Sequence, residues 1–115
     1  MKFTDTIKLN YEFHRLYSKG KSAVTPYLVV YARRSKRREN RIGFTVSTKL
    51  GKAVKRNRIR RRLREIYRLN EDRFLRGTEL VVVARARAAE AEYRQLEHAF
   101  LSACRKLELL SEKSP

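Results

Sequence analysis

The chain has 115 residues, enough for one compact domain with one hydrophobic core. It is 42% hydrophobic and 36% charged, and its 29 Lys and Arg against 12 Asp and Glu leave a formal charge of +17. The apolar share excludes a wholly disordered chain, the lack of any run of about 18 apolar residues excludes a transmembrane helix, and the charge calls for an anionic partner, nucleic acid before a membrane surface. No secretory signal opens the chain and a cytoplasmic location is expected. Cys104 has no disulfide partner, and His14 and His98 stand without the spacing of a zinc site, so no structural metal is expected.

In chain order, residues 1–8 are expected to be flexible. Asn10 can cap a helix over residues 10–19 in which Phe13, Leu16 and Tyr17 recur at helical spacing, with Gly20 ending it. A short strand is expected around Ser22 to Thr25, with Pro26 as a break. The β-branched and aromatic run Tyr27 to Ala32 reads as a strand. So does the alternation of Ile42, Phe44 and Val46 with Gly43, Thr45 and Ser47, and the two are expected to pair as an antiparallel hairpin.

Gly51 then precedes a helical pattern from about Lys52 to Gly77. Leu80 to Ala84 is continuously apolar, as suits a strand covered on both faces. Tyr93, Leu96, Phe100, Ala103, Leu107 and Leu110 form one stripe of a terminal helix. Residues 111–115 are polar and expected to fray. The whole reads as a single α/β domain in which helices cover a small mixed sheet.

Between Lys52 and Arg64 eight of thirteen residues are basic and none is acidic. At about 100° per residue, Ile59, Leu63, Ile66 and Tyr67 share one side of this helix while Asn57, Arg61, Arg64 and Arg68 share the other. A merely solvated basic face is the alternative, but so many like charges repel one another when nothing neutralises them. Arginine outnumbers lysine, and its planar fork grips phosphate oxygens in pairs, suiting a folded RNA backbone.

The stretch Arg41-Ile-Gly-Phe-Thr-Val-Ser-Thr-Lys-Leu-Gly-Lys-Ala-Val-Lys-Arg-Asn-Arg-Ile-Arg-Arg-Arg-Leu-Arg-Glu65 resembles the signature of the bacterial ribonuclease P protein family: a strand, a Lys-x-Gly-x-Ala-Val turn, then Arg-Asn-Arg. The resemblance covers nearly the whole chain. It implies an α+β two-layer sandwich of order αβββαβα with a left-handed βαβ crossover, a hand opposite to the usual one. It further implies an RNA-binding subunit that assists removal of the 5′ leader from precursor tRNA, with the catalytic RNA and precursor tRNA as partners; no obligate protein partner is evident in the sequence. By position, Arg56, Asn57, Arg58, Arg60, Arg61, Arg64 and Arg68 would meet the catalytic RNA.

Phe13 and Tyr17 stand four apart and share a helix face, and Tyr31 lies on a strand. Taken alone, these rings fit core packing, although each tyrosine hydroxyl wants a partner or water. The resemblance instead implies a stacking platform for leader bases, with Lys49, Lys52 and Arg85 as its phosphate-holding rim. Tyr17 stands where the family often has phenylalanine.

No acid cluster or activated nucleophile is visible: Glu71 and Asp72 are adjacent and would not share a helix face. The resemblance assigns catalysis and its Mg2+ to the RNA, making this chain an enzyme subunit, and no cofactor is expected on the protein itself. A ribosomal protein or helix-based DNA-binding module would share the charge but not the Lys-x-Gly-x-Ala-Val turn, and a metallonuclease would need acids that are missing. The basic segment Arg33, Arg34, Lys36, Arg37, Arg38 and Arg41 could touch RNA but reads better as a solvated loop, and no role is assigned to it. Cys104, beside the apolar stripe, reads as a small buried side chain.

Overall fold

The computed structural model describes residues 1–111. Its elements are β1 (Thr4–Thr6), α1 (Asn10–Lys19), β2 (Lys21–Val24), β3 (Leu28–Arg34), β4 (Asn40–Thr45), α2 (Ala53–Asn70), β5 (Thr78–Ala84) and α3 (Tyr93–Lys106). The strands form one sheet in the order β1-β4-β5-β3-β2. β4 and β5 run parallel, joined through α2, whereas β3 is antiparallel to both β5 and β2.

The expected pairing of β3 with β4 is therefore wrong, because β5 lies between them. Leu80, Val81 and Val82 are fully buried, and a strand apolar on both faces gains most where both edges are also paired. The segment from Ser35 to Glu39 crosses over the start of β5: Ser35 N–H donates to the Gly77 carbonyl at 2.8 Å. Gly77 sits at φ 81°, and a Cβ there would meet the Arg37 carbonyl oxygen at 2.6 Å, so only glycine fits beneath this segment. The basic segment is thus held at its base, where the sequence suggests a free loop.

The N-terminal segment, expected to be flexible, carries a strand. β1 pairs in parallel with β4, Thr4 opposite Asn40 and Thr6 opposite Ile42. The buried carboxylate of Glu71 accepts from the Lys2 and Phe3 N–H groups at 2.8 and 3.1 Å and from the Thr4 hydroxyl at 2.6 Å. That anchor also explains why α2 stops at Asn70 and not near Gly77: Glu71 and the two residues after it form a 3-10 turn aimed at the N-terminal strand.

α1 begins at Asn10 with Leu9 in the capping position, so Asn10 does not cap. Glu92 and Gln95 form a reciprocal capping box at the start of α3. α3 ends at Lys106, short of the expected stripe; Glu108 takes a positive φ of 58°, and Leu110 turns back to bridge Phe74. The expected fraying of 111–115 falls mainly on residues 112–115, outside those described.

Alternation along the strands divides the two faces of the sheet. Leu28, Val30, Ile42, Leu80 and Val82 point to the main core, which they share with Ile59, Leu63, Ile66 and Tyr67 of α2 and Leu96, Phe100 and Cys104 of α3. On the other face, Ile7, Phe13 and Leu16 pack on Tyr31, Val81 and Val83. The predicted apolar side of α2 and the burial of Cys104 both hold; burial pushes the Cys104 thiol up, away from its reactive thiolate form.

Candidate RNA interface

α2 turns Asn57, Arg58, Arg61, Arg64 and Arg68 to solvent, opposite its buried side. The seven residues named for it fall into two groups. Arg58, Arg61 and Arg64 have no bonded partner among the described residues. The others are partly engaged: Arg56 donates to the Gly51 carbonyl at 3.1 Å, Arg60 to the Asn57 amide oxygen at 3.0 Å, and Arg68 forks onto Glu65 at 3.0 and 2.5 Å. The fork holds the Glu65 carboxyl below the ordinary range through its hydrogen bonds to Arg68. Free arginines carry counterions that a phosphate can displace, whereas Arg68 must first give up an acid on its own helix.

The second candidate surface lies on the opposite face of the sheet, where the structure brings Phe13, Tyr17 and Tyr31 together. Phe13 rests on Gly43, whose missing side chain makes room for the ring: a Cβ would stand 2.7 Å from Phe13 Cε1. The Tyr17 and Tyr31 rings meet edge-on, centroids 4.9 Å apart, and the Tyr17 hydroxyl shares a 3.1 Å hydrogen bond with Thr45. Tyr17 is 37% exposed, while Phe13 and Tyr31 are half-buried. Packing and presentation are thus combined: Phe13 and Tyr31 support the base of the platform and Tyr17 stands on its open side.

Beyond these rings the sheet face is half-buried at Val29, Thr45 and Val83 and exposed at Val24. Register places Val24, Val29, Val83 and Thr45 in one row across four strands, with Val24 59% exposed. This apolar floor was missed in the sequence. The signal was present in β3, where Leu28, Val30 and Ala32 are buried and Val29, Tyr31 and Arg33 only half-buried; reading that run at period two would have found it.

The three rim candidates do not form a single cluster with the rings. Lys49 is in the 3-10 turn Thr48–Leu50 after β4, Lys52 caps α2, and Arg85 directly follows β5. β4 and β5 are parallel, so these residues leave the sheet from the end that carries Thr45 and Val83. Lys49 and Lys52 are exposed, their ammonium groups with no bonded partner among the described residues, and Arg85 donates to the Thr25 carbonyl at 2.9 Å.

Among the described residues no group of three or more His, Cys, Asp or Glu is placed to hold a metal ion, and no helix is long and apolar enough to cross a membrane. Glu71 is engaged with the N-terminal strand, as described above.

Known proteins match over this whole arrangement. The family model described as Ribonuclease P matches residues 1–108. The ribonuclease P protein component of Natranaerobius thermophilus is 39% identical over 107 residues, covering 93% of each chain. That of Finegoldia magna is 42% identical over 99 residues, covering 84% of this chain and 85% of the relative. The solved RNase P protein of Staphylococcus aureus superposes with a TM-score of 0.85 at 32% identity, covering 92% of this chain and 97% of that one. That of Thermotoga maritima gives 0.77 at 29% identity, covering 85% and 93%. With the basic helix, the aromatic platform and the sheet order all on one matching fold, the chain belongs to the ribonuclease P protein family.

Proposed function

We propose that this chain acts in tRNA processing by holding two RNA segments at once: the catalytic RNA of ribonuclease P along α2, and the 5′ leader of precursor tRNA along the aromatic platform. The observation that carries this reading is the placement of the two surfaces. The free arginines Arg58, Arg61 and Arg64 project from the layer on one face of the sheet, while Phe13, Tyr17 and Tyr31 lie on the other. One rigid sheet therefore fixes the distance between the bound RNA and the bound leader.

Each surface suits its segment. Unpaired guanidinium forks bind phosphates of a folded backbone with little regard for sequence. One exposed and two half-buried rings beside an apolar floor accept unstacked bases of any identity, and lysines at the end of the floor neutralise the strand's phosphates. Hydrolysis and its Mg2+ are assigned to the RNA partner, and the protein's part is to bind and position. The cytoplasm, where precursor tRNA is trimmed, is the proposed location.

Reconstitution tests this directly. Adding the protein to a bacterial ribonuclease P RNA at low magnesium is expected to restore leader removal from precursor tRNA, while the protein alone leaves the substrate intact. Cleavage by RNA-free protein, or no gain over RNA alone, would overturn the proposal.

A further inference from the structure

We infer that the ion pair between Glu12 of α1 and Arg41 of β4 is a latch that sets the rotation of α1, and so aims the leader platform; this rests on the leader-binding reading above. Glu12 immediately precedes Phe13, and its carboxylate takes both arms of the Arg41 guanidinium, Nη1 onto Oε2 and Nη2 onto Oε1 at 3.0 Å. The side chains are only 15% and 11% exposed, so water competes weakly for the pair.

Arg41 is itself flanked by an acid on either side. In register it stands between Asp5 of β1 and Glu79 of β5, and Glu79 stands opposite Arg33 of β3, to which it is ion-paired at 3.6 Å. The row Asp5, Arg41, Glu79, Arg33 thus alternates in sign across four strands on the face that carries α1, and opposite charges on facing positions support one another. α1 draws on this row through Glu12 alone.

The pair adds a directional contact to a helix otherwise seated mainly by apolar packing. α1 has ten residues, and Leu16 is the one that is buried. Apolar contact is non-directional, and the Tyr17 to Thr45 hydrogen bond is exposed. A two-armed guanidinium–carboxylate pair is planar and directional. It holds Glu12 over β4, which places Phe13 on Gly43 and, one helical turn later, Tyr17 against Tyr31. Glu12 and Arg41 are therefore positioning residues, acting on the leader through the rings.

The test uses holoenzyme carrying Arg41→Lys, which keeps the charge but loses the fork, or Glu12→Gln, which keeps the shape but loses the charge, with Tyr17→Ala as control. Affinities for leader-bearing and mature tRNA are measured alongside melting curves. Both latch variants are expected to lower the preference for leader-bearing tRNA by about tenfold, within the value of one or two stacked bases, with affinity for mature tRNA unchanged. A preference kept by folded latch variants but lost in Tyr17→Ala overturns the latch alone. If Tyr17→Ala keeps the preference too, the leader reading fails and the latch with it. Equal loss for both tRNAs, in step with a lower melting temperature, assigns the pair to stability only and also overturns the latch. Should Arg41→Lys fail to fold, Glu12→Gln decides among these outcomes.

Discussion

The ring of Phe13 lies directly on the backbone of Gly43, so close that a Cβ there would stand 2.7 Å from Cε1, 2.9 Å from Cζ and 3.2 Å from Ile7 Cβ. A one-carbon addition must push the ring, the strand or both. Gly43→Ala is expected to cost about 1–3 kcal/mol in denaturant unfolding, the usual range for overpacking. Adding Phe13→Leu, which removes the ring edge, should recover part of that loss. A double-mutant cycle with no coupling would show that the crowding is relieved elsewhere.

Arg61 and Arg64 are free on the exposed side of α2. Replacing both by alanine should weaken binding to the catalytic RNA and reduce the slope of log K against log salt by about 1.5, the share of two phosphates. Replacing Arg68, which must leave Glu65 to reach a phosphate, should change the slope less. Filter binding at several salt concentrations reads both. An unchanged slope in the folded double variant would place the RNA on another face.

Much of this arrangement is legible in the sequence because it rests on local periodicity. The two sides of α2 follow from the spacing of Ile59, Leu63 and Ile66 against Arg61 and Arg64, and burial agrees residue by residue. The sheet order is not local. Pairing of β3 with β4 looked natural because they are neighbours in sequence, but the most apolar strand comes later in the chain and takes the centre. The N-terminal strand was hidden for a related reason: Thr4 to Thr6 make only a three-residue strand, and Lys2, Phe3 and Thr4 are bonded to Glu71, far along the chain. The same holds for the Glu12–Arg41 pair, in which neither residue stands out until the fold joins them.

Two depressed carboxylates give the fold an acid-sensitive side. Hydrogen bonding to Arg41 holds Glu12 below its ordinary value, against the opposing effect of burial. Burial pushes Glu71 upward, but the N–H groups of Lys2 and Phe3 and the Thr4 hydroxyl outweigh it and leave the carboxyl lowered. Folded values below the unfolded value mean stability that is fully present above the ordinary 4.5 and is lost as pH falls through the lowered folded value. Unfolding free energy measured downward from neutral pH should therefore fall below that point. Glu71→Gln should be less stable at pH 7 and show a shallower acid dependence. Identical pH profiles for the two proteins would mean that Glu71 titrates alike in the folded and unfolded chains.

Tyr17 offers the cleanest probe of the platform, because it is the most exposed of the three rings. Removing Phe13 or Tyr31 would disturb the small cluster that seats α1 on Val81. Tyr17→Ala removes a ring already open to solvent, so stability should fall by less than the roughly 3–5 kcal/mol typical of a buried aromatic. Affinity of the holoenzyme for leader-bearing tRNA should drop by about 1–3 kcal/mol for each base that stacked on it, while mature tRNA binds as before. Tyr17→Phe separates the ring from its hydroxyl. It loses the bond to Thr45 but keeps the π-face, so leader binding should stay close to wild type. Little dependence on leader sequence is expected, since every base presents a π-face and the phosphates are common to all sequences. Should Tyr17→Phe fail as badly as Tyr17→Ala, the hydroxyl and its bond to Thr45 would be the essential element, and stacking would not account for the recognition.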